Sequence, residues 1–215
     1  MPSDTTTQIT FVLDSSGSMS KIREDTIGGF NTFLTDQRDE PGRAAVTLYE
    51  FSDSVSRVYH GKPLGDAPDL DEETYTPGGR TALHDAITTA VTETDGHIEK
   101  QPAAVQPDTV VVVVLTDGKE NASETPRDRV RELVEQYRQD HDWEFLFIGA
   151  NQDAVLTATR MGIEAEKSLD MAHSGEGTQA AYESTSRNIS EARQTGSAGG
   201  YTDEDRQRQD EADGA

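Results

Sequence analysis

Residues 110–115 read Val-Val-Val-Val-Val-Leu, with no polar side chain among them. A strand with one wet face alternates apolar and polar residues, so a run that does not alternate is covered on both faces. Five consecutive β-branched residues also favour a strand over a helix. The run is far too short to cross a bilayer. It predicts a central strand in a sheet with helices on both sides, closed by the turn Thr116-Asp117-Gly118.

The flanking patterns agree with that frame. Gln8–Leu13 reads as a first buried strand, followed by a polar loop from Asp14 to Ser20. Ile22, Ile27, Phe30 and Phe33/Leu34 recur at helical spacing and predict a helix over about Lys21–Gln37, broken by Pro41-Gly42. Ala45–Phe51 and the alternating Val55–Tyr59 form a predicted hairpin whose second member is an edge strand. Residues 61–80 are a long Gly/Pro/Asp-rich connection with one helical turn near Leu70–Thr74. Helices are predicted after Thr81 (Leu83, Ala86/Ile87, Ala90/Val91, Ile98) and around Val130, Leu133, Val134 and Tyr137. Trp143–Ile148 is a strand, Ala154–Met161 a short helix stopped by Gly162, and Ile163–Leu169 a weak last strand. A final helix over about Gly177–Arg193 turns Ala181, Tyr182 and Ile189 inward.

Strands alternating with helices give an α/β fold, Rossmann-like and doubly wound, with a mostly parallel six-stranded sheet and one antiparallel edge strand. The expected organisation is a frayed stretch 1–7, one domain over 8–193, and an acidic tail 194–215. That tail is nearly devoid of apolar residues and is expected to be disordered.

Charge and composition narrow the function. The chain carries 19 Lys and Arg against 41 Asp and Glu, a formal net charge of -22, and only five lysines. Such a surface repels nucleic acid and anionic membranes, so neither is expected as a partner. Heavy acidity with few lysines points to a proteome adapted to high salt, as in a halophilic archaeon. The 215 residues contain no cysteine, which excludes disulfides, thiol catalysis and Cys-ligated zinc. No secretory signal pattern follows Met1, so the expected location is cytoplasmic.

Open α/β sheets bind ligands beyond the carboxyl ends of their strands, where strand order reverses. Two such ends carry acids here: Asp14 after the first strand and Asp117 after the poly-valine strand. Asp14, Ser16 and Ser18 fall at every second position, so their oxygens can converge. A carboxylate with two hydroxyls is a hard-oxygen set suited to Mg²⁺ or Mn²⁺. The Gly78-Gly79-Arg80-Thr81 loop can approach the same edge, its glycines allowing close backbone contact. Read singly, Asp14 or Ser16 could instead cap the next helix, and Asp117-Gly118 could be an ordinary turn.

Together, Asp14-Ser15-Ser16-Gly17-Ser18, Gly78-Gly79-Arg80-Thr81 and Thr116-Asp117-Gly118 resemble the three signature loops of von Willebrand factor A domains, of a stand-alone prokaryotic type. The similarity covers roughly residues 8 to 170. It implies a metal-ion-dependent adhesion site in which Ser16, Ser18 and Thr81 supply hydroxyl ligands. Asp14 and Asp117 would bind directly or through water. It further implies a non-enzymatic protein-interaction module in which an Asp or Glu of a partner protein completes the shell of Mg²⁺ or Mn²⁺. Two alternatives stand beside this reading. One is a Mg²⁺-dependent phosphatase-like hydrolase using Asp14 as nucleophile, although Ser16 replaces the second acid such enzymes place there. The other is a metal-binding subunit of a larger, ATPase-driven assembly.

Other residues carry weaker signals. His60, His84, His97, His141 and His173 show no ligand-like spacing, though His84 lies near Thr81. Arg80, beside Thr81, reads as a solvated loop arginine or as one that recruits an acidic partner, and Asn151 as a residue bordering the site or capping a helix. Asn121-Ala122-Ser123 and Asn188-Ile189-Ser190 match the N-glycosylation pattern, here a coincidence in a chain expected to stay inside the cell.

Overall fold

The computed structural model describes residues 5–150 and 153–214. In chain order the elements are β1 (Thr6–Asp14), α1 (Arg23–Asp39), β2 (Arg43–Phe51), β3 (Val55–Pro63), α2 (Leu83–Ile98) and β4 (Thr109–Thr116). There follow α3 (Arg127–Asp140), β5 (Glu144–Gly149), α4 (Ala154–Arg160), β6 (Ser168–Asp170), α5 (Gly175–Thr195) and α6 (Asp203–Asp213). A 3₁₀ helix over Gly17–Ile22 joins β1 to α1, so the predicted first helix starts two residues later than expected.

The six strands form one sheet in the order β3-β2-β1-β4-β5-β6. Every neighbouring pair is parallel except β2 and β3, the hairpin expected from the alternation in Val55–Tyr59. The poly-valine strand β4 is buried along its whole length, between β1 and β5. From β1 the chain winds outward in one direction to β2 and β3, and after β4 in the other to β5 and β6. The point where order reverses is thus the β1/β4 seam, with Leu13 facing Leu115 in register.

Two cores lie on opposite sides of this sheet. On one, Phe11, Phe30, Phe33 and Tyr182 form an aromatic cluster, Phe11 meeting Phe30 edge-on at 5.2 Å and stacking on Tyr182 at 6.0 Å. On the other, the even-numbered valines of β4 pack with Ala86, Ile87, Ala90 and Val91 of α2, and with Val130 and Val134 of α3. Helix α1 approaches α5 closely because Gly29 leaves room for the Tyr182 ring: a Cβ there would lie 2.2 Å from a ring carbon. Both residues are buried, so the ring has no free volume to retreat into. Gly29→Ala is therefore expected to destabilise the fold by about 3 kcal/mol through overpacking. A denaturant midpoint unchanged by that substitution would show that the α1/α5 seam can relax.

The tail departs from expectation. Instead of being disordered, residues 203–213 form α6, begun by a capping box in which Thr202 and Asp205 bond reciprocally. Its contacts with the domain are polar rather than apolar. Buried Asp205 accepts from Ser184 Oγ (2.7 Å) and from Arg187 Nη2. Gln209 accepts from Ala172 N (2.9 Å) and donates to Gly177 O (3.1 Å). Arg206 donates to the carbonyls of Ser168 and Ala165. Tyr201 is buried, its hydroxyl 2.9 Å from Thr185 Oγ1. Hydrogen bonding to α5 and β6 thus supplies what low hydropathy does not. At the other end, β1 begins at Thr6, so the tail of the stretch expected to fray belongs to the sheet.

Candidate metal centre

The β1/β4 seam brings the three loops to one edge. Asp14, the last residue of β1, is fully buried beside Thr116, whose hydroxyl donates to Asp14 Oδ2. Asp14 Oδ1 accepts from Ser16 N at 2.7 Å, which folds the loop back on the strand end. Ser16 occupies the N-cap position of the 3₁₀ helix, yet no side-chain cap bond forms there. The helix-cap explanation of this motif is accordingly excluded for Ser16.

The hydroxyls continue the chain of oxygens. Ser16 Oγ and Ser18 Oγ are 3.2 Å apart, and Ser18 Oγ donates to Asp117 Oδ1 at 2.5 Å. Thr81 comes in from the opposite side. A Cβ at Gly118 would lie 2.6 Å from Thr81 Oγ1 and 3.4 Å from Asp14 Oδ2, so glycine is required where these loops meet. Asp14, Ser16 and Thr81 are buried while Ser18 is exposed, leaving the cluster open to solvent on one side.

Hydrogen bonds tie the first two loops together. Gly17 N donates to Gly79 O (3.1 Å), Gly78 N to Ser15 O (2.8 Å), and Tyr75 Oη to Asp14 O (2.6 Å). Gly79 has φ of +81°, a conformation that suits glycine. Arg80 is an exposed loop arginine that also pairs with Asp53, its Nε 2.7 Å from Oδ1. Asn121 reaches from the far side: its Oδ1 accepts Thr81 N at 2.9 Å, and its own N donates to Thr81 O at 3.0 Å.

Burial dominates the electrostatics of this cluster. Burial pushes the Asp14 carboxyl up to about 6, against the hydrogen bonds from Thr116 and Ser16 that pull it down. Burial likewise raises Asp117, opposed by Ser18 and His173. Asp117 Oδ2 is the telling atom. Its side chain is 1% exposed and His173 Nε2 is 3.1 Å away, but the approach is not that of a well-directed hydrogen bond. Among the described residues that oxygen has no well-aligned hydrogen-bond donor.

All five residues singled out from sequence, Asp14, Ser16, Ser18, Thr81 and Asp117, therefore meet at one sheet edge. Sequence reasoning missed two neighbours. His173, from the β6–α5 loop, carries no local signal that it reaches Asp117, 56 positions earlier. Asn121 presented only as a glycosylation pattern, and Asn188, the other such residue, is buried with Oδ1 accepting Gly200 N. His60 and His97 do pair in space, ring centroids 4.0 Å apart, contrary to their unpromising spacing. Among the described residues, however, no group of three or more His, Asp or Glu is placed to hold a metal. A metal at the β1/β4 seam would depend on hydroxyl ligands. Asn151 lies outside the described residues.

A six-stranded sheet of this order, with hydroxyl and carboxylate loops converging at its switch point, defines a class. The profile of the von Willebrand factor type A domain matches residues 8–188, and the chain belongs to that family. Its members commonly serve metal-dependent protein interaction rather than catalysis.

Solved structures share the fold at low identity. Proximal thread matrix protein 1 of the mussel byssus is 17% identical with a TM-score of 0.62, covering 85% of this chain and 45% of its own. The same protein with zinc occupying its MIDAS motif is 15% identical with a TM-score of 0.60, covering 84% of this chain and 47% of its own. A von Willebrand factor type A protein from Catenulispora acidiphila is 15% identical with a TM-score of 0.56, covering 86% and 42% respectively. The chain thus spans under half the length of these proteins. No curated protein matches it.

Proposed function

We propose that this chain is a metal-dependent protein-interaction module rather than an enzyme. Asp14, Ser16, Ser18, Thr81 and Asp117 hold a divalent cation, Mg²⁺ or Mn²⁺, and an Asp or Glu of a partner protein completes its shell. The observation that carries the reading is the Asp117 carboxylate, whose Oδ1 accepts from Ser18 Oγ while its buried Oδ2 has only the poorly aligned His173 ring beside it. Leaving such a group unsatisfied costs on the order of 1–3 kcal/mol, more when charged. A cation relieves that cost, and it would likewise favour the ionised form of Asp14, whose carboxyl burial pushes up.

The donor set supports the choice of ion. All its oxygens are hard, and only two of the five residues are carboxylates, so the bound cation would keep enough electrophilicity to accept a partner's carboxylate. Zinc in the MIDAS motif of the mussel protein supports a divalent ion at this place in the fold. The net charge of -22 supports a partner that is neither nucleic acid nor an anionic membrane, and a cytoplasm of high salt. Among the described residues no helix is long and apolar enough to cross a membrane.

Titration with Mn²⁺, followed by its electron paramagnetic resonance signal in high KCl, tests the site. The wild type is expected to take up one tightly bound ion per chain, and Asp117→Ala to lose it. Equal binding by the two proteins would sink the assignment. Asn121→Ala removes the oxygen that positions Thr81 without touching a ligand. It is expected to weaken Mn²⁺ affinity about tenfold, the usual scale for a residue that orients a ligand. A circular-dichroism melt would confirm that the variant stays folded.

A further inference from the structure

A cavity of about 310 Å³ opens directly beside the metal loops, sharing Gly118 with them. Its walls hold Phe147 and Met161, both buried, and Leu156, which is 47% exposed. Among the described residues the other large exposed hydrophobics are Val58 and Val105, on β3 and on a turn before β4. Leu156 is the one next to the candidate metal centre.

The charge around this cavity reverses that of the whole molecule. Acids outnumber bases 41 to 19 in the chain, but here Lys119, Arg127 and Arg160 meet only Glu120 and Asp153. Both of those acids are already engaged. Glu120 accepts from the N–H groups of His84, Ala122 and Ser123 and from the Ser123 hydroxyl. Asp153 lies 3.6 Å from Lys119 Nζ. Arg127 has only its chain neighbour Asp128, at 3.5 Å, and that carboxylate is 84% exposed. Arg160 has no ion-pair partner among the described residues.

We propose that this groove receives an acidic linear segment of the partner protein. One carboxylate of that segment completes the metal shell, a bulky apolar side chain packs on Leu156, Phe147 and Met161, and a second carboxylate meets Arg127 and Arg160. The proposal rests on the metal-dependent reading above and adds the chemistry of the partner. On a surface of net charge -22 an acidic segment is repelled almost everywhere else, so unpaired Arg160 and Arg127, paired with the exposed Asp128, fix where and in which direction it docks. The apolar floor distinguishes such a segment from a free inorganic anion, which would gain nothing from Leu156.

The probe is a set of fluorescein-labelled peptides, each carrying one Asp, one Phe and one Glu separated by glycine spacers of graded length. Binding is read by anisotropy with Mn²⁺, in the lowest KCl concentration that keeps the wild type folded. At least one spacing is expected to bind about tenfold more tightly than a peptide with the Asp alone. Changing its Phe to Gly, or its Glu to Gln, is expected to remove that advantage. Arg127→Glu combined with Arg160→Gln, and separately Leu156→Ser, are expected to do the same from the protein side. Each variant should keep its Mn²⁺-dependent rise in melting temperature. If Mn²⁺ binds and every peptide binds no better than the Asp-only control, the groove proposal falls and the metal reading stands. If charge reversal leaves the affinity unchanged, the groove falls as well. If Mn²⁺ gives neither a thermal shift nor a resonance change, the metal reading itself fails and takes the groove with it.

Discussion

Asp14→Ala is expected to abolish the rise in melting temperature that Mg²⁺ or Mn²⁺ gives the wild-type protein. A ligand that binds only the folded state stabilises it by about 2.7 kcal/mol at a hundredfold excess over its dissociation constant. For a chain of this size that corresponds to roughly 5–10 °C. Asp14 is fully buried at the end of β1, and its carboxyl is pushed up because burial outweighs the bonds from Thr116 and Ser16. Without metal its charge is a burden on the fold, so Asp14→Asn should melt no lower than the wild type in chelator. With metal the order should reverse. A purely structural role predicts something else: the same loss of stability with and without the ion. Two melts of each protein, in saturating Mn²⁺ and in chelator, separate these outcomes.

Ending the chain before Ala198 is expected to lower the melting temperature by about 10 °C, a loss of roughly 3–5 kcal/mol. The cut removes the acceptor and donor that Gln209 offers to Ala172 and Gly177, and the carbonyl of Ala198 that Lys167 Nζ contacts. It also exposes Asn188 Oδ1 and the face of α5 beneath Tyr201. Asp205→Ala tests the centre of this contact alone. Burial pushes Asp205 up, but hydrogen bonds from Arg187, Ser184 and Thr202 outweigh it and hold the carboxyl at about 2. Because its folded value lies below the unfolded one, near 3.9, its contribution is present above pH ~4 and is lost as pH falls toward 2. That contribution is about 2 kcal/mol once the half-exposed Arg187 is discounted for screening. Acid unfolding of the wild type should therefore show a component between pH 4 and 2 that Asp205→Ala lacks. Coincident acid transitions for the two proteins would show that the carboxylate adds nothing to the fold.

The truncation bears on the metal centre too. Ala172, whose N–H bonds to Gln209, precedes His173, whose ring lies against Asp117. Loss of α6 is thus expected to loosen the loop behind one of the five candidate ligands.

Strand identity and the layering of the fold were legible along the chain because they depend on local pattern. Five valines in a row leave no polar face, so β4 had to be central, and the alternation in Val55–Tyr59 placed β3 at an edge. The candidate ligand residues were legible for a related reason: Asp14, Ser16 and Ser18 share one loop, and Asp117 and Thr81 each sit where a strand ends or a helix begins. Helix α6 was not, because its stability comes from polar side chains finding partners far away, and hydropathy does not record partners.

By itself, then, the sequence determined a doubly wound sheet and the residue types that gather at its switch point, since periodicity and loop chemistry are properties of neighbouring residues. Only the tertiary structure decided that Asp117 Oδ2 is buried without a well-aligned donor and that His173 and Asn121 stand beside the cluster. It alone set Arg127 and Arg160 around a cavity that also holds Leu156, Phe147 and Met161, and folded the acidic tail into a helix. Each of these depends on distance in space between residues far apart in the chain. No local pattern encodes that distance.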